Sequence, residues 1–213
     1  MMNRFMIFGD SYSTHKDHIP DGYAFYYCDE GRGDDQPVTK MRYEETWWGR
    51  LIEKTGAAIV QNNSWSGSTI GYTGYSGDCS KTSSFIYRYM KLSDEGFFDK
   101  NKFDTLFVFG GTNDSWSNAP LGEPMYADWK REDLFSVMPA ICYFMDRLKN
   151  DLPNVRIVFI ANCDIKSEIV ECMQNAAERI GVECVKLSGV DKLAGHPTVK
   201  GMSDICEQVL AVI

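Results

Sequence analysis

The chain has 213 residues, 44% of them hydrophobic, which suits one α/β domain with a full core. Its net charge of −8 comes without a Lys/Arg cluster, which argues against a nucleic-acid or anionic-membrane partner, since both need a basic face. The seven cysteines are odd in number and scattered, with no Cys-x-x-Cys, so reduced thiols are expected and a zinc site is not.

The amino terminus, Met-Met-Asn-Arg, leads almost at once into an apolar run. No stretch is long enough for a signal peptide or a membrane span, so a cytoplasmic protein is expected if the chain is complete. Phe5-Met-Ile-Phe-Gly9 reads as a buried parallel strand: apolar throughout, with no polar alternation. Gly9 permits a sharp turn, and Ser11 then falls just past the strand's carboxyl end, where open α/β sheets place their ligands. Taken alone, Ser11 could equally cap a helix or close a turn.

A polar and aromatic stretch follows, from Tyr12 to about residue 43, with neither helical nor strand periodicity. Loops of this length are uncommon in compact domains unless functional. The aromatic content at Tyr23, Phe25, Tyr26 and Tyr27 predicts a packed flap inserted near the first strand's exit. Thr46–Gly56 reads as a helix with Trp47, Trp48, Leu51 and Ile52 inward, and Ala57–Gln61 as a second strand. Residues 62–78 read as loop and 84–92 as helix. Thr105–Phe109 is a third strand, ended by Gly110-Gly111, and Asp133–Asn150 the longest helix. Val155–Ala161 is a fourth strand, 166–180 a helix stopped by Gly181, Val182–Leu187 a fifth strand, and 199–212 a final helix. Alternating strands and helices predict a parallel sheet covered on both faces. No repeat or linker divides residues 1–213.

In a parallel sheet every strand exits at one edge, so segments far apart in sequence can meet there. After strand one comes Gly9-Asp10-Ser11, after strand two the block around Gly67, after strand three Gly110-Gly111-Thr112-Asn113-Asp114, and after strand five Gly195-His196-Pro197. Acyl transfer asks for a hydroxyl nucleophile, a neutral imidazole to carry its proton, fixed N–H donors at the developing oxyanion, and a group that orients the imidazole. Ser11 and His196 can fill the first two roles. The N–H groups of Ser11 and Gly67 and the Asn113 amide can fill the third.

Phe-Gly-Asp-Ser11, the Gly67 block, Gly-Gly-Thr-Asn113-Asp and Gly-His196-Pro resemble, in order, the four sequence blocks of the SGNH (GDSL-type) hydrolases. The resemblance runs over essentially the whole chain. It implies a flavodoxin-like α/β/α sandwich with strand order 2-1-3-4-5, and an esterase or acetylhydrolase that uses no metal or other cofactor. It places the nucleophile on Ser11, the oxyanion donors on Ser11, Gly67 and Asn113, and the base on His196. Two positions depart from the family pattern. Tyr12 stands where Leu is usual, and Leu193 stands where the family's triad acid precedes the histidine by three residues. Either Asp191 reaches the imidazole through a bulged turn, or a backbone carbonyl orients His196 and the site is a dyad.

Other residues have competing readings. Asp10 is expected to brace its turn, and Asn113 alone could be an N-cap. His15 and His18, with Asp17 and Asp21, could suggest a metal, but Pro20 and Gly22 favour a loop. Asp29–Asp35 lacks EF-hand spacing and reads as a solvated acidic turn. Trp65 and Trp116 either pack beneath the loops or wall a cleft suited to a sugar ring or small amphipathic ester. The expected activity is hydrolysis of small carboxylic esters, such as O-acetyl groups on carbohydrate. A binding module with a degenerate triad, and a thioesterase or lysophospholipase-type acyl hydrolase, are the alternatives.

Overall fold

The structure, a computed structural model, describes residues 2–33 and 38–213. Asp34 and Asp35 of the acidic turn, and Pro37 of the flap, lie outside them. Five strands form one parallel sheet: β1 (Arg4–Gly9), β2 (Ala58–Ser64), β3 (Thr105–Gly110), β4 (Arg156–Ala161) and β5 (Glu183–Lys186), in the order β2-β1-β3-β4-β5. Among the described residues seven α-helices accompany it: α1 (Trp47–Thr55), α2 (Phe85–Asp94), α3 (Phe97–Lys100), α4 (Thr112–Trp116), α5 (Val137–Asp151), α6 (Ser167–Ile180) and α7 (Val199–Leu210).

The strands are apolar on both sides because both sides are covered. Successive side chains alternate in direction. Met6 and Phe8 of β1, with Leu106, Val108, Ile157 and Phe159, pack under α2, α5 and α6. Phe5 and Ile7, with Phe107, Phe109, Val158 and Ile160, pack under α1 and α7. This is a three-layer α/β/α sandwich. The chain order reverses beside β1, which has β2 on one flank and β3 on the other, so a crevice opens at the carboxyl end of β1.

Several local rules act as the sequence predicts. Thr46 caps α1 by accepting from the Gly49 N–H at 3.0 Å, and Gly56 ends that helix in the left-handed region at φ +70°. Elsewhere tertiary contacts override them. β2 runs on through the polar Asn62, Asn63 and Ser64, expected to be loop, because Asn63 and Ser64 pair with Phe8 and Gly9. The expected long helix begins later, at Val137, after a 3₁₀ turn over Arg131–Phe135. Pro139 sits in its first turn, where a missing N–H costs nothing. A longer helix would set the proline ring against the carbonyl of Phe135. Among the described residues no helix is long and apolar enough to cross a membrane.

Candidate active site

β1 delivers Ser11 to the crevice through a tight turn. The Ser13 N–H donates to Asp10 O at 3.1 Å, and the Thr14 hydroxyl donates to Ser11 O at 3.1 Å. The turn is held from outside: Trp48 Nε1 and Asn62 Nδ2 both donate to Ser13 O, at 3.0 and 2.8 Å, and Trp47 Nε1 donates to Ser13 Oγ at 3.1 Å. Gly9 is required by space: a Cβ there would lie 2.4 Å from Ser64 Oγ and 2.6 Å from Ser13 Cβ.

His196 comes from a two-residue ladder between β5 and α7, in which Leu193 pairs with His196 and Lys192 with Pro197. Its Nε2 lies 3.1 Å from Ser11 Oγ. The flap residue Tyr26 stacks flat on the imidazole, with ring centroids 3.6 Å apart and planes 7° apart, and Trp116 meets it edge-on at 5.7 Å. Burial under these rings, reinforced by the positive charges of Arg32 and Lys192, pushes the imidazole pKa down to about 4, against a smaller opposing effect of the Ala194 carbonyl. The ring is therefore neutral at neutral pH, as a general base must be.

The group that faces Nδ1 is the backbone carbonyl of Ala194, 3.4 Å away. Asp191, the carboxylate weighed for this role, is engaged elsewhere. Its Oδ2 accepts a short hydrogen bond from the Thr198 hydroxyl, and its backbone carbonyl accepts from the Thr198 N–H at 3.1 Å. The reason is topological: residues 191 and 198 close the base of the ladder, whereas the imidazole projects from its tip.

The loop after β2 and the start of α4 supply the candidate oxyanion donors. Gly67 has φ +82°, a left-handed conformation that explains the glycine, and it borders the cleft. Asn113 is the second residue of α4, whose N-cap is Gly111, so Asn113 is not a cap. One hydrogen of its Nδ2 is used on Ser68 O at 2.9 Å, and its Oδ1 accepts from the Tyr75 hydroxyl at 3.1 Å. These contacts set the orientation of the amide and leave the second Nδ2 hydrogen for a ligand. Asp114 ties the same loop to α4, its carboxyl accepting from the N–H groups of Ile70 and Gly71 at 3.0 and 3.2 Å. Tyr26, Arg32, Ser66, Gly67, Tyr75, Asn113, Trp116 and His196 line a cleft of about 290 Å³.

The two tryptophans part company. Trp116 is 40% exposed and walls the cleft. Trp65 packs against Tyr23 of the flap, tilted by 35° with ring centroids 4.3 Å apart, outside the cleft lining, because its own backbone N–H is drawn to Gly9 O at 3.0 Å as the chain leaves β2. The stacking face of Tyr26, the hydroxyl of Tyr75 and the charge of Arg32 had no distinct sequence signal beyond the flap's aromatic content. The flap histidine His15 is buried, its Nδ1 2.7 Å from Lys16 O and its Nε2 2.8 Å from Met41 O.

Asp10 is fully buried, and its Oδ1 accepts from the Tyr12 N–H at 3.0 Å. Burial raises its pKa from 3.8 to about 7, outweighing that hydrogen bond. Between these values the folded state keeps a proton that the unfolded chain has released, so this group's contribution to stability falls as pH rises. Asp10→Asn keeps the acceptor and removes the titration. Its stability relative to wild type should therefore increase between about pH 4 and about pH 8, read as the difference in urea midpoints. An equal difference at both ends would show that Asp10 does not titrate in this window.

The family model for GDSL-like lipase/acylhydrolase matches residues 3–213. A solved structure from Bacteroides uniformis, described as a GDSL-like lipase, is 38% identical with a TM-score of 0.90, over 100% of this chain and 95% of that one. A second, from Bacteroides ovatus, is 34% identical with a TM-score of 0.89, over 100% and 98%. An acetyl xylan esterase from Butyrivibrio proteoclasticus shares the fold at 16% identity and a TM-score of 0.61, over 99% of this chain and 62% of that one. No curated protein matches the sequence.

Proposed function

Because the chain belongs to the GDSL-like lipase/acylhydrolase family, we propose that it is a serine hydrolase of small carboxylic esters, with O-acetyl or other short acyl groups on a sugar as substrates. One observation carries the reading: the 3.1 Å approach of His196 Nε2 to Ser11 Oγ at the rim of the cleft bordered by Gly67 and Asn113. The Nδ1–H tautomer, donating to Ala194 O, leaves the Nε2 lone pair facing the serine hydroxyl.

Ser11 Oγ attacks the ester carbon while His196 takes its proton. The carbonyl oxygen becomes an oxyanion, met by the N–H groups of Ser11 and Gly67 and the free Nδ2 hydrogen of Asn113. The imidazolium then protonates the leaving alcohol, and an acyl-enzyme remains on Ser11. Water, deprotonated by His196, attacks this ester, and collapse of the second tetrahedral intermediate releases the acid and returns the proton to Ser11. Among the described residues no carboxylate bonds to the His196 ring, so stabilisation of the imidazolium falls to the Ala194 carbonyl and to the oxyanion itself. A cleft of about 290 Å³ suits a short acyl group, and Tyr26, Tyr75 and Trp116 suit the face of a sugar ring.

Turnover of p-nitrophenyl acetate, with covalent labelling of Ser11 by a fluorophosphonate, tests the reading. Both are expected. Labelling without turnover would favour the binding-module alternative, which the leucine at position 193 keeps in play. Asn113→Ala should fold normally and lose ~10²–10³ in kcat, the usual cost of one oxyanion donor. A panel of acetylated sugars and longer acyl esters, compared by kcat/KM, would define the substrate.

A further inference from the structure

The two departures from the family pattern bear on one hairpin: Leu193 is the ladder partner of His196, and Tyr12 bonds to the turn. Tyr12 is fully buried directly behind the nucleophile, and its hydroxyl donates a short hydrogen bond to the carbonyl of Gly195. Its ring lies 5.5 Å from the His196 ring and 6.4 Å from Trp116. Gly195 is the second of two consecutive residues with positive φ, Ala194 at +49° and Gly195 at +80°, as a tight hairpin turn of the I′ kind requires. Alanine resists that conformation, so the turn needs holding from outside.

The base of the hairpin has its own anchors. Lys192 Nζ donates to Asn162 Oδ1 and Cys163 O, both at 2.9 Å, and the Tyr27 hydroxyl donates to Pro197 O at 3.0 Å. At the tip, Tyr12 supplies the hydrogen bond from the nucleophile's own strand exit, while the Trp116 ring lies 3.1 Å from where a Gly195 Cβ would be. The carbonyl that faces His196 Nδ1 belongs to Ala194, one peptide away from the one Tyr12 holds.

We propose that Tyr12 is a positioning residue for the general base: by holding Gly195 O, it fixes the turn so that Ala194 O accepts the Nδ1–H of His196 in place of a triad carboxylate. The inference rests on the Ser11–His196 reading above. Burial raises the phenol's pKa well beyond its ordinary value, so the donor stays protonated throughout the working pH range. A Leu at this position, as in the family pattern, could not donate.

Tyr12→Phe removes the hydroxyl and keeps the ring. In the intact chain kcat for p-nitrophenyl acetate should fall at least ~10-fold with KM within about two-fold, the ceiling being the ~10⁴ that a wrong tautomer costs a carboxylate triad. Nitrogen-15 shifts of the His196 ring at neutral pH should change from one Nδ1–H tautomer to a mixture. Leu193→Asp is the rescue. Position 193 pairs directly with His196, so side chains there share a face and their Cβ atoms come close. Leu193 is 49% exposed, so a carboxylate is tolerated. In the Tyr12→Phe background this change should recover most of kcat and move the acid limb of kcat/KM to higher pH, because a carboxylate favours the imidazolium.

Wild-type kcat in Tyr12→Phe would overturn the inference. So would an equal loss of kcat with the tautomer unchanged and no recovery on Leu193→Asp, which is what a purely structural role predicts. Should the wild type neither turn over nor label, the hydrolase reading falls and the tautomer measurement alone decides: a mixture in Tyr12→Phe supports the positioning role, and an unchanged single tautomer refutes it.

Discussion

Ser11→Ala should reduce kcat for p-nitrophenyl acetate by about 10⁶-fold, to the residue of activity that oxyanion donors and binding alone sustain. The fall is large because nucleophile and base act as a unit. With no hydroxyl, His196 has nothing to deprotonate except water, and water is not placed at attacking distance by a covalent bond to β1. The fold should survive. The serine hydroxyl faces His196 Nε2, while the turn around it is held by backbone and neighbouring side chains at Ser13, Trp47, Trp48 and Asn62. Melting temperature and far-UV circular dichroism should therefore match wild type. A Ser11→Ala variant that retained full esterase activity would remove the proposed mechanism altogether.

Arg88→Met should cost about 3–5 kcal/mol of stability, a large share of what a domain of this size has. Arg88 is 1% exposed on α2, and it sits behind the site as a brace. Its guanidinium donates to Asn63 O by a short bond and to Asn63 Oδ1 at 2.7 Å. It also donates to Gly9 O at 3.2 Å, Ser68 Oγ at 3.1 Å and Ser83 O at 2.9 Å. The carboxyl ends of β1 and β2 and the loop carrying Gly67 are thus tied to one planar fork. The Phe85 ring lies 4.6 Å from the guanidinium carbon and adds a cation–π contact. Burial lowers the arginine's pKa to about 9, which leaves it charged at neutral pH.

Methionine fills much of the volume but leaves several buried acceptors without donors, and that desolvation penalty dominates the loss. Urea denaturation with an unchanged m value would give the figure directly. Arg88→Lys should recover only part of it, because a single ammonium cannot span acceptors placed for a flat fork. Activity below the melting temperature should fall too. Ser68, whose hydroxyl Arg88 holds, offers the carbonyl that orients the Asn113 amide. A variant as stable as wild type would show that the brace is dispensable.

Most of the architecture was readable from local pattern. Apolar runs at residues 5–8, 106–109 and 157–161 are unbroken because both faces of a parallel sheet are buried, and that burial leaves its mark on the sequence. Thr46 and Gly56 bound α1, and Gly181 ends α6, through capping chemistry that depends only on neighbours in the chain. The four blocks carrying Ser11, Gly67, Asn113 and His196 stand out by their resemblance to those of the SGNH hydrolases, and they can meet because every strand of a parallel sheet exits at one edge.

What tertiary structure decided are the contacts between segments that sequence spacing does not relate. Pairing with β1 turned the polar Asn62–Ser64 into strand, although nothing in their composition favours it. Closure of the hairpin base by Thr198 took Asp191 from the imidazole and left a carbonyl in its place. Tyr23 claimed Trp65, while Trp116 remained at the cleft. Arg88 and Tyr12, read along the chain, are an ordinary helix arginine and a minor substitution. Their roles arise because the acceptors they serve, at residues 9, 63, 68 and 195, come together only when the sheet has formed. Periodicity and caps report interactions within a few residues, whereas a hydrogen bond spanning 183 residues in sequence exists only in the folded chain.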